Sequence, residues 1–275
     1  MLRATPKSAS RDLSRVWISY LLRCVSRQTR YRPLKNDEAN MAVAQPEERI
    51  EYIVEGGHKL AGSILPSGNK NAALPIIAAS LLTEQPVELS NVPRIRDVEA
   101  LLELVSSIGA EIKWTGPNML RIHARALTPN DLDPGLCARI RASILLAGPM
   151  LARCGELTLP PPGGDVIGRR RLDTHFLALR ALGASISVNG TYVFRAHKLT
   201  GADVFLDEPS VTATENALCA AVAARGVTVL RNCASEPHVQ DLAHFLIALG
   251  AEIEGIGTNC MTIYGNWPAP GSVDT

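Results

Sequence analysis

The stretch Pro161 to His175, PPGGDVIGRRRLDTH, concentrates residue types that do chemistry on anions. A Gly-Gly turn presents one carboxylate, Asp165. Arg169, Arg170 and Arg171 follow in a row, then Asp173 and His175. A carboxyl group on a flexible loop beside clustered guanidiniums suits an anionic substrate that needs a proton delivered. The same residues also read as an exposed loop with a solvated basic run, which is what charge runs usually are. The elements around the loop decide between the two.

Those elements repeat. The phrases IGAEI (Ile108–Ile112), LGASI (Leu182–Ile186) and LGAEI (Leu249–Ile253) recur about 70 residues apart. Each closes an amphipathic helix, with Gly where a helix C-cap precedes a strand. Working backwards, the first unit predicts a helix over 70–83, a strand over 87–90, a helix over 95–108, and strands over 110–114 and 119–123. The second predicts a helix over 139–153, a strand over 156–159, the loop 161–171, a helix over 172–182, and strands over 184–188 and 192–195. The third predicts a helix over 211–225, a strand over 227–230, a helix over 238–249, and strands over 251–254 and 260–264. Extended segments precede the units at 63–65 and 203–206. The first helix of each unit is apolar on nearly all sides, as in Ala72 to Ala79, Ile144 to Ala147 and Leu218 to Val222. A helix apolar all round is buried. The fold class is therefore α/β: three βαβαββ units with helices inside, sheets outside and threefold pseudo-symmetry, an inside-out α/β barrel.

Polar residues sit just before the buried helices: SGNKN (Ser67–Asn71), RIRAS (Arg139–Ser143) and DEPSVTATEN (Asp207–Asn216). Helix N-termini offer free N–H groups and a positive dipole end. Threefold packing would gather these ends, and Lys70 and Arg141 would add full charges, making an anion site. Ordinary N-capping by Ser67, Asn69 and Ser210 explains the same residues without any ligand.

SGNKNAALPIIAASLL, RIRASILLAGPMLAR, LPPPGGDVIGRRRLDTH, SVTATENALCAA and EPHVQDLAHFLIALGAEI together resemble the UDP-N-acetylglucosamine enolpyruvyl transferase (1-carboxyvinyltransferase) family over about residues 50–265. The resemblance implies transfer of the enolpyruvyl group of phosphoenolpyruvate to the 3-hydroxyl of UDP-N-acetylglucosamine with release of phosphate, the committing step of peptidoglycan synthesis, in the cytoplasm and with no cofactor or metal. It implies phosphoenolpyruvate contacts at Lys70, Asn71 and Arg170. It implies UDP-sugar contacts at Arg141, Arg170, Arg171, Leu172, Asp173, Thr174, Ser210 and Val211. His175 and Glu236 fall on matching polar positions of less defined role. A sister family, the 3-phosphoshikimate 1-carboxyvinyltransferases, is the alternative. It is expected to show Lys-Ser and Asn-Ala-Gly-Thr segments where this chain has Lys70-Asn71 and Arg141-Ala142-Ser143.

Three departures stand out. The loop residue that is usually Cys in the family is Asp165, which replaces adduct formation by general-acid protonation of the enol methylene as its expected role. Glu208, Arg171 and Leu145 stand where the family usually has Lys, Pro and Trp, and Arg171 is a candidate to restore the charge lost at Glu208. Finally, the family has two such triple-repeat domains with the site between them, and this sequence carries one. The reading is a truncated or split enzyme, completed by a separate chain, with an inactive half that binds a UDP-sugar or a protein as the alternative.

The domain reading is residues 1–48, a basic disordered extension; 49–66, a hairpin belonging to the absent domain; 67–265, the triple-repeat domain; and 266–275, a tail. Residues 1–35 hold nine of the 28 Lys and Arg against one of the 27 acids, leaving 19 basic and 26 acidic residues in the mildly acidic body. That body does not call for a polyanion, and 4% aromatic content argues against a base-stacking surface, so no nucleic-acid partner is expected. No apolar run reaches a membrane span, so no membrane partner is expected either. The Arg- and Ser-rich head resembles an organelle transit peptide, with a disordered tail or a true start at Met41 as alternatives. The six cysteines form no CxxC pair or metal spacing, and Cys219 and Cys233 read as small core residues.

Overall fold

The computed structural model describes residues 21–24, 54–59, 61–129, 132–164 and 171–265. The chain divides into two units, Met1–Pro66 and Ser67–Thr275.

In the first unit, strand β1 (Leu21–Cys24) pairs antiparallel with β2 (Val54–His58), Cys24 opposite Val54. A lone strand edge carries unpaired N–H and C=O groups that recruit another strand. The extended segment at 63–65 forms no strand, and Ile64 and Leu65 are exposed.

The second unit holds three successive repeats. The first runs α1 (Lys70–Ala79) with a 3-10 turn, β3 (Val87–Leu89), α2 (Arg96–Ser107), β4 (Glu111–Gly116) and β5 (Met119–His123). The second runs α3 (Pro134–Arg139), a 3-10 segment (Arg141–Leu146), α4 (Ala147–Cys154), β6 (Glu156–Leu159), α5 (Asp173–Ala181), β7 (Ser185–Asn189) and β8 (Thr191–Arg195). The third runs β9 (Asp203–Phe205), α6 (Val211–Ala223), β10 (Gly226–Arg231), α7 (Pro237–Ala248), β11 (Glu252–Glu254) and β12 (Cys260–Gly265). Each repeat makes its own antiparallel sheet with the last strand in the middle: β3-β5-β4, β6-β8-β7 and β10-β12-β11. In the third, β9 adds a parallel edge against β10.

The repeated Gly phrases make one cap three times. Gly109, Gly183 and Gly250 have φ of 105°, 97° and 108°, a region that favours Gly. The next residue then donates back five positions, Ala110 to Val105, Ala184 to Leu179 and Ala251 to Leu246. The chain is thereby turned from outer helix into strand at each repeat.

Helix burial follows sequence pattern. α6 buries every position from Ala213 to Val222, and α1 buries Ala73, Leu74, Pro75, Ile77, Ala78 and Ala79. α2 is two-faced, burying Val98, Leu101, Leu102 and Val105 at helical spacing. The sheets alternate, with Leu120 and Ile122 of β5 buried and Met119 and Arg121 exposed. Cys219 and Cys233 are core residues, as their apolar surroundings predict.

The helix predicted over 139–153 is three pieces. Pro149 has no N–H to give the carbonyl four residues back, and its ring crowds that carbonyl. Asn216 of α6 enters the gap. Gly148 N donates to Asn216 Oδ1 at 2.8 Å, and Asn216 Nδ2 donates to Ile144 O at 2.8 Å. The side-chain amide thus occupies both groups of what would be one helical hydrogen bond. Arg153 ties this repeat to the first: it donates to Leu81 O at 2.9 Å and Ala124 O at 3.1 Å, with its side chain 6% exposed.

Candidate functional site

The starts of α1 and α6, and the junction between α3 and the following 3-10 segment, open on one cleft of about 420 Å³. α1 contributes Lys70, Asn71, Leu74 and Pro75. The end of α3 and the 3-10 segment contribute Arg139 to Ala142 and Leu145. α6 contributes Val211, Thr212 and Glu215. Asp97 of α2, His238 of α7 and Gly164 complete the lining. The N-termini are capped as their sequences imply. Asn69 accepts from Asn71 N at 2.8 Å, and Ser210 accepts from Ala213 N at 3.4 Å. Capping leaves Lys70, Arg139 and Arg141 to set the charge of the cleft wall. Lys70 meets Asp97 at 2.7 Å, both side chains being nearly half exposed. Three basic side chains and helix N–H groups around one depression are the groups that an anion would meet there.

The loop is held at both described ends. Gly163 N donates to Cys137 O at 3.0 Å and Gly164 N to Ala138 O at 3.1 Å. A Cβ on Gly163 would lie 1.8 Å from Ala138 O, and Gly164 has φ of 89°. The Gly-Gly pair is a close backbone docking that carries the chain to the cleft. On the far side, Arg171 O accepts from Arg141 Nη2 at 3.0 Å. Asp165, Arg169 and Arg170 lie outside the described residues.

The other sequence-predicted residues divide sharply. Lys70, Asn71, Arg141 and Val211 line the cleft; Arg171, Leu172, Asp173, Thr174, His175, Ser210 and Glu236 do not. Leu172 is buried in the core. Arg171 is bound to Asp173 at 2.7 Å and Asp207 at 3.5 Å, and those acids, with Glu208, hold its guanidinium even more firmly protonated than usual. Thr174 is buried and donates to Asp207 at 2.5 Å. Glu236, exposed, starts α7, its carbonyl accepting from Val239 and Gln240.

His175 is 1% exposed and uses both ring nitrogens. Its tautomer follows from backbone groups. Gly148 N can only donate, so Asn216 Oδ1 faces it; Ile144 O can only accept, so Nδ2 faces that. The amide's remaining N–H therefore donates to His175 Nδ1 at 2.9 Å, and His175 Nε2 donates to Thr212 Oγ1 at 3.1 Å. Burial, assisted by the charge of Arg141, pushes the imidazole down to about 3, so it is neutral. Thr212, accepting from His175, keeps its own hydrogen to donate from the cleft wall. His175 is thus a positioning residue behind the wall.

Arg139, Asp97, Thr212, Glu215 and His238 are cleft residues that sequence reasoning did not single out. All of them except Asp97 lay within the quoted motifs. The available signal for Glu215 was the one acid in a helix, VTATENALCAAVA, that is otherwise uncharged. Glu215 is 2% exposed, and its Oε1 has no hydrogen-bond partner among the described residues. Burial, with the negative charge of Glu236, pushes its carboxyl up to about 9.

Among the described residues no helix is long and apolar enough to cross a membrane, and no group of three His, Cys, Asp or Glu is placed to hold a metal.

The family model for EPSP synthase (3-phosphoshikimate 1-carboxyvinyltransferase) matches residues 54–273, and the chain belongs to that family of enolpyruvyl transferases. Within it, the chain is 74% identical over 216 residues to a UDP-N-acetylglucosamine 1-carboxyvinyltransferase of Bradyrhizobium diazoefficiens, covering 78% of this chain and 50% of that protein. It is 56% identical to the protein of the same name from Treponema pallidum, again over 78% of this chain and 50% of the relative. The chain thus spans about half the length of the curated relatives it matches. Among solved structures, the enolpyruvyl transferase NikO from Streptomyces tendae superposes with a TM-score of 0.67 at 24% identity, over 78% of this chain and 50% of that one. An EPSP synthase from Acinetobacter baumannii gives 0.56 at 19%, covering 74% of this chain and 47% of that one. These last two likenesses concern the α/β fold alone.

Proposed function

We propose that this chain supplies one wall of the active site of a UDP-N-acetylglucosamine 1-carboxyvinyltransferase, with three repeats closed as an inside-out α/β barrel. The observation that carries the reading is the convergence of Lys70, Arg139 and Arg141 with three helical starts on one cleft. The 74% identity to a relative of that name favours it over the shikimate-type reaction of the family model's name. The setting is the cytoplasm, and the substrates are two small anions.

In this reading Lys70 and Asn71 hold phosphoenolpyruvate together with Arg170. Arg141, Arg170, Ser210 and Val211 hold the UDP-sugar. Arg171, Leu172, Asp173 and Thr174 act there through the backbone of the segment they anchor. Asp165, next to the docked Gly164, gives its proton to the methylene carbon of phosphoenolpyruvate. The sugar 3-hydroxyl oxygen bonds to the neighbouring carbon and loses its proton to a base on the opposite wall. The bond from that carbon to the phosphate oxygen then breaks, a methyl proton leaves, and the alkene returns on the sugar ether as phosphate departs. Half of this machinery corresponds to the part of the relatives' length that this sequence does not span.

The test is phosphate release from both substrates, with and without the second half of the Bradyrhizobium relative supplied as a separate polypeptide. The 275-residue chain alone is expected to be inactive, because positioning fails when one wall is absent. Robust sugar-dependent release from the chain alone would overturn the reading. In the completed enzyme, Asp165→Asn is expected to remove most activity, since an amide keeps the shape but delivers no proton. Asp165→Cys should retain activity and gain sensitivity to fosfomycin, an epoxide that alkylates a loop thiol. Near-normal turnover of the Asn variant would reduce Asp165 to a turn former.

A further inference from the structure

Glu215 is a carboxyl group in the wall of a cationic cleft, and one of its oxygens has no partner among the described residues. It lies on the face of α6 that carries Val211 and Thr212, one helical turn in from the positive end, and all three line the cleft. The residue is 2% exposed, and Oε1 meets no donor or acceptor among the described residues. Thr228 Oγ1 is the other such atom, but it lies in β10, outside the cleft lining. A buried polar group without a partner costs stability, so its retention inside a binding cleft points to a partner that arrives with the ligand.

We propose that Glu215 contacts the bound substrate, its carboxyl O–H donating a hydrogen bond to a phosphate or carboxylate oxygen. The proposal rests on the anion reading above and adds a residue to it. An ionised glutamate would repel such a ligand, but this one is neutral at pH 7. Its side chain is buried, and the negative charge of Glu236 disfavours a second one nearby. Around it the cleft presents Lys70, Arg139, Arg141, Asp97 and His238, while Cys219 lies behind it on α6, its thiol also pushed up by burial and by Glu215. A neutral acid adds a directed donor among these charges without cancelling the cations, as ionised Asp97 does for Lys70.

The experiment is a chemical-shift titration of the full chain with inorganic phosphate, phosphoenolpyruvate and UDP-N-acetylglucosamine, in wild type, Glu215→Gln and Glu215→Met. The amide keeps a donor and the thioether has none. A hydrogen bond to a charged oxygen corresponds to about tenfold or more in affinity. Glu215→Met is therefore expected to bind about tenfold more weakly at pH 7, and Glu215→Gln within about twofold of wild type. As pH rises through about 9, wild-type affinity should fall more steeply than that of Glu215→Gln, which retains Lys70 but cannot ionise at 215. A loss on the phosphate and phosphoenolpyruvate arms assigns the contact to a phosphomonoester. A loss on the UDP-sugar arm alone assigns it to the diphosphate.

Unchanged affinity in a folded Glu215→Met variant would overturn the contact and leave the anion site standing. Should that variant not fold, parallel pH profiles for wild type and Glu215→Gln would overturn it equally. Absence of any anion-dependent shift in wild type would overturn the contact and the anion reading together, whereas failure of turnover in the completed enzyme with anion binding intact would affect only the reaction assigned above.

Discussion

The seam around His175 and the floor of the cleft around Glu215 are equally dry and chemically opposite. His175 and Glu215 are 1% and 2% exposed, and both are held neutral by burial. In the seam every polar atom of the His175 and Asn216 side chains has a partner: Asn216 reaches Ile144, Gly148 and His175, and His175 reaches Thr212. In the cleft a carboxyl oxygen of Glu215 has none among the described residues. Burial alone therefore does not mark a functional group. A satisfied buried network specifies how the second and third repeats pack, and an unsatisfied group facing a cleft is kept for something else.

The largest effect is expected from breaking the seam. Asn216→Ala leaves Ile144 O, Gly148 N and His175 Nδ1 short of partners in a region that water does not reach. A cost of about 3–5 kcal/mol is expected, from two or three buried groups at about 1–3 each with partial relaxation. Glu215→Gln, at the same depth, should cause no such loss at pH 7, because it removes the cost of holding a proton that the unfolded chain has already released. Urea unfolding of the two variants checks the contrast. Comparable losses would mean that Glu215 belongs to the packing network after all.

A second test separates the regions by the sign of their pH dependence. Glu215 keeps its proton up to about 9 in the folded chain and loses it near 4.5 when unfolded. The folded state then binds more protons between those values, so this contribution is full below 4.5 and lost as pH rises towards 9. His175 stays neutral down to about 3 when folded and takes a proton near 6.5 when unfolded. Its contribution is full above 6.5 and lost as pH falls towards 3. From 4.5 to 6.5 the two oppose each other. The informative windows are therefore 6.5–9 for Glu215 and 3–4.5 for His175, each with a slope of at most about 1.4 kcal/mol per pH unit. Glu215→Gln should flatten the first window and His175→Gln the second. A Glu215→Gln variant whose stability still fell across 6.5–9 as steeply as wild type would remove the buried proton from the account.

Much of this frame is legible in the sequence, and the reasons it fails elsewhere are physical. The strand Met119–His123 has its predicted bounds, and α2 runs Arg96–Ser107 against a prediction of 95–108. In both, local pattern and tertiary burial agree. The three Gly caps were legible because only positive φ serves there. The 139–153 helix was misread because Pro149, in plain view, was passed over and because the amide that fills the break comes from Asn216, some 70 residues away. At the site, Lys70, Asn71 and Arg141 were legible because charge beside a buried helix start has few other uses. Leu172, Thr174 and His175 sit in the same quoted motif but turn inward. Motif likeness names a segment, and only packing says which side chains of it face the ligand. Glu215 was passed over because an acid has no special meaning until its surroundings are known to be dry.

The smallest effect is expected at the rim, where Lys70 and Asp97 meet at 2.7 Å with side chains 46% and 42% exposed. A pair so open to solvent contributes only about 0–1 kcal/mol, since water screens both charges and two long side chains must be held still. Asp97→Asn should leave unfolding almost unchanged. Its effect should appear in binding. Asp97 is an internal carboxylate already on the lysine that the anion reading assigns to the ligand, so any incoming oxyanion must displace or share it. Removing that charge while keeping the side chain's shape is expected to strengthen phosphate binding several-fold at low salt, with the gain shrinking as ionic strength rises. Asp97→Asn together with Lys70→Ala should show no such gain, because the cation that Asp97 occupies is gone. Weaker phosphate binding in Asp97→Asn alone would mean that Asp97 orients Lys70 for the ligand and does not compete with it, placing the rim with the satisfied seam and leaving the cleft floor as the unsatisfied region.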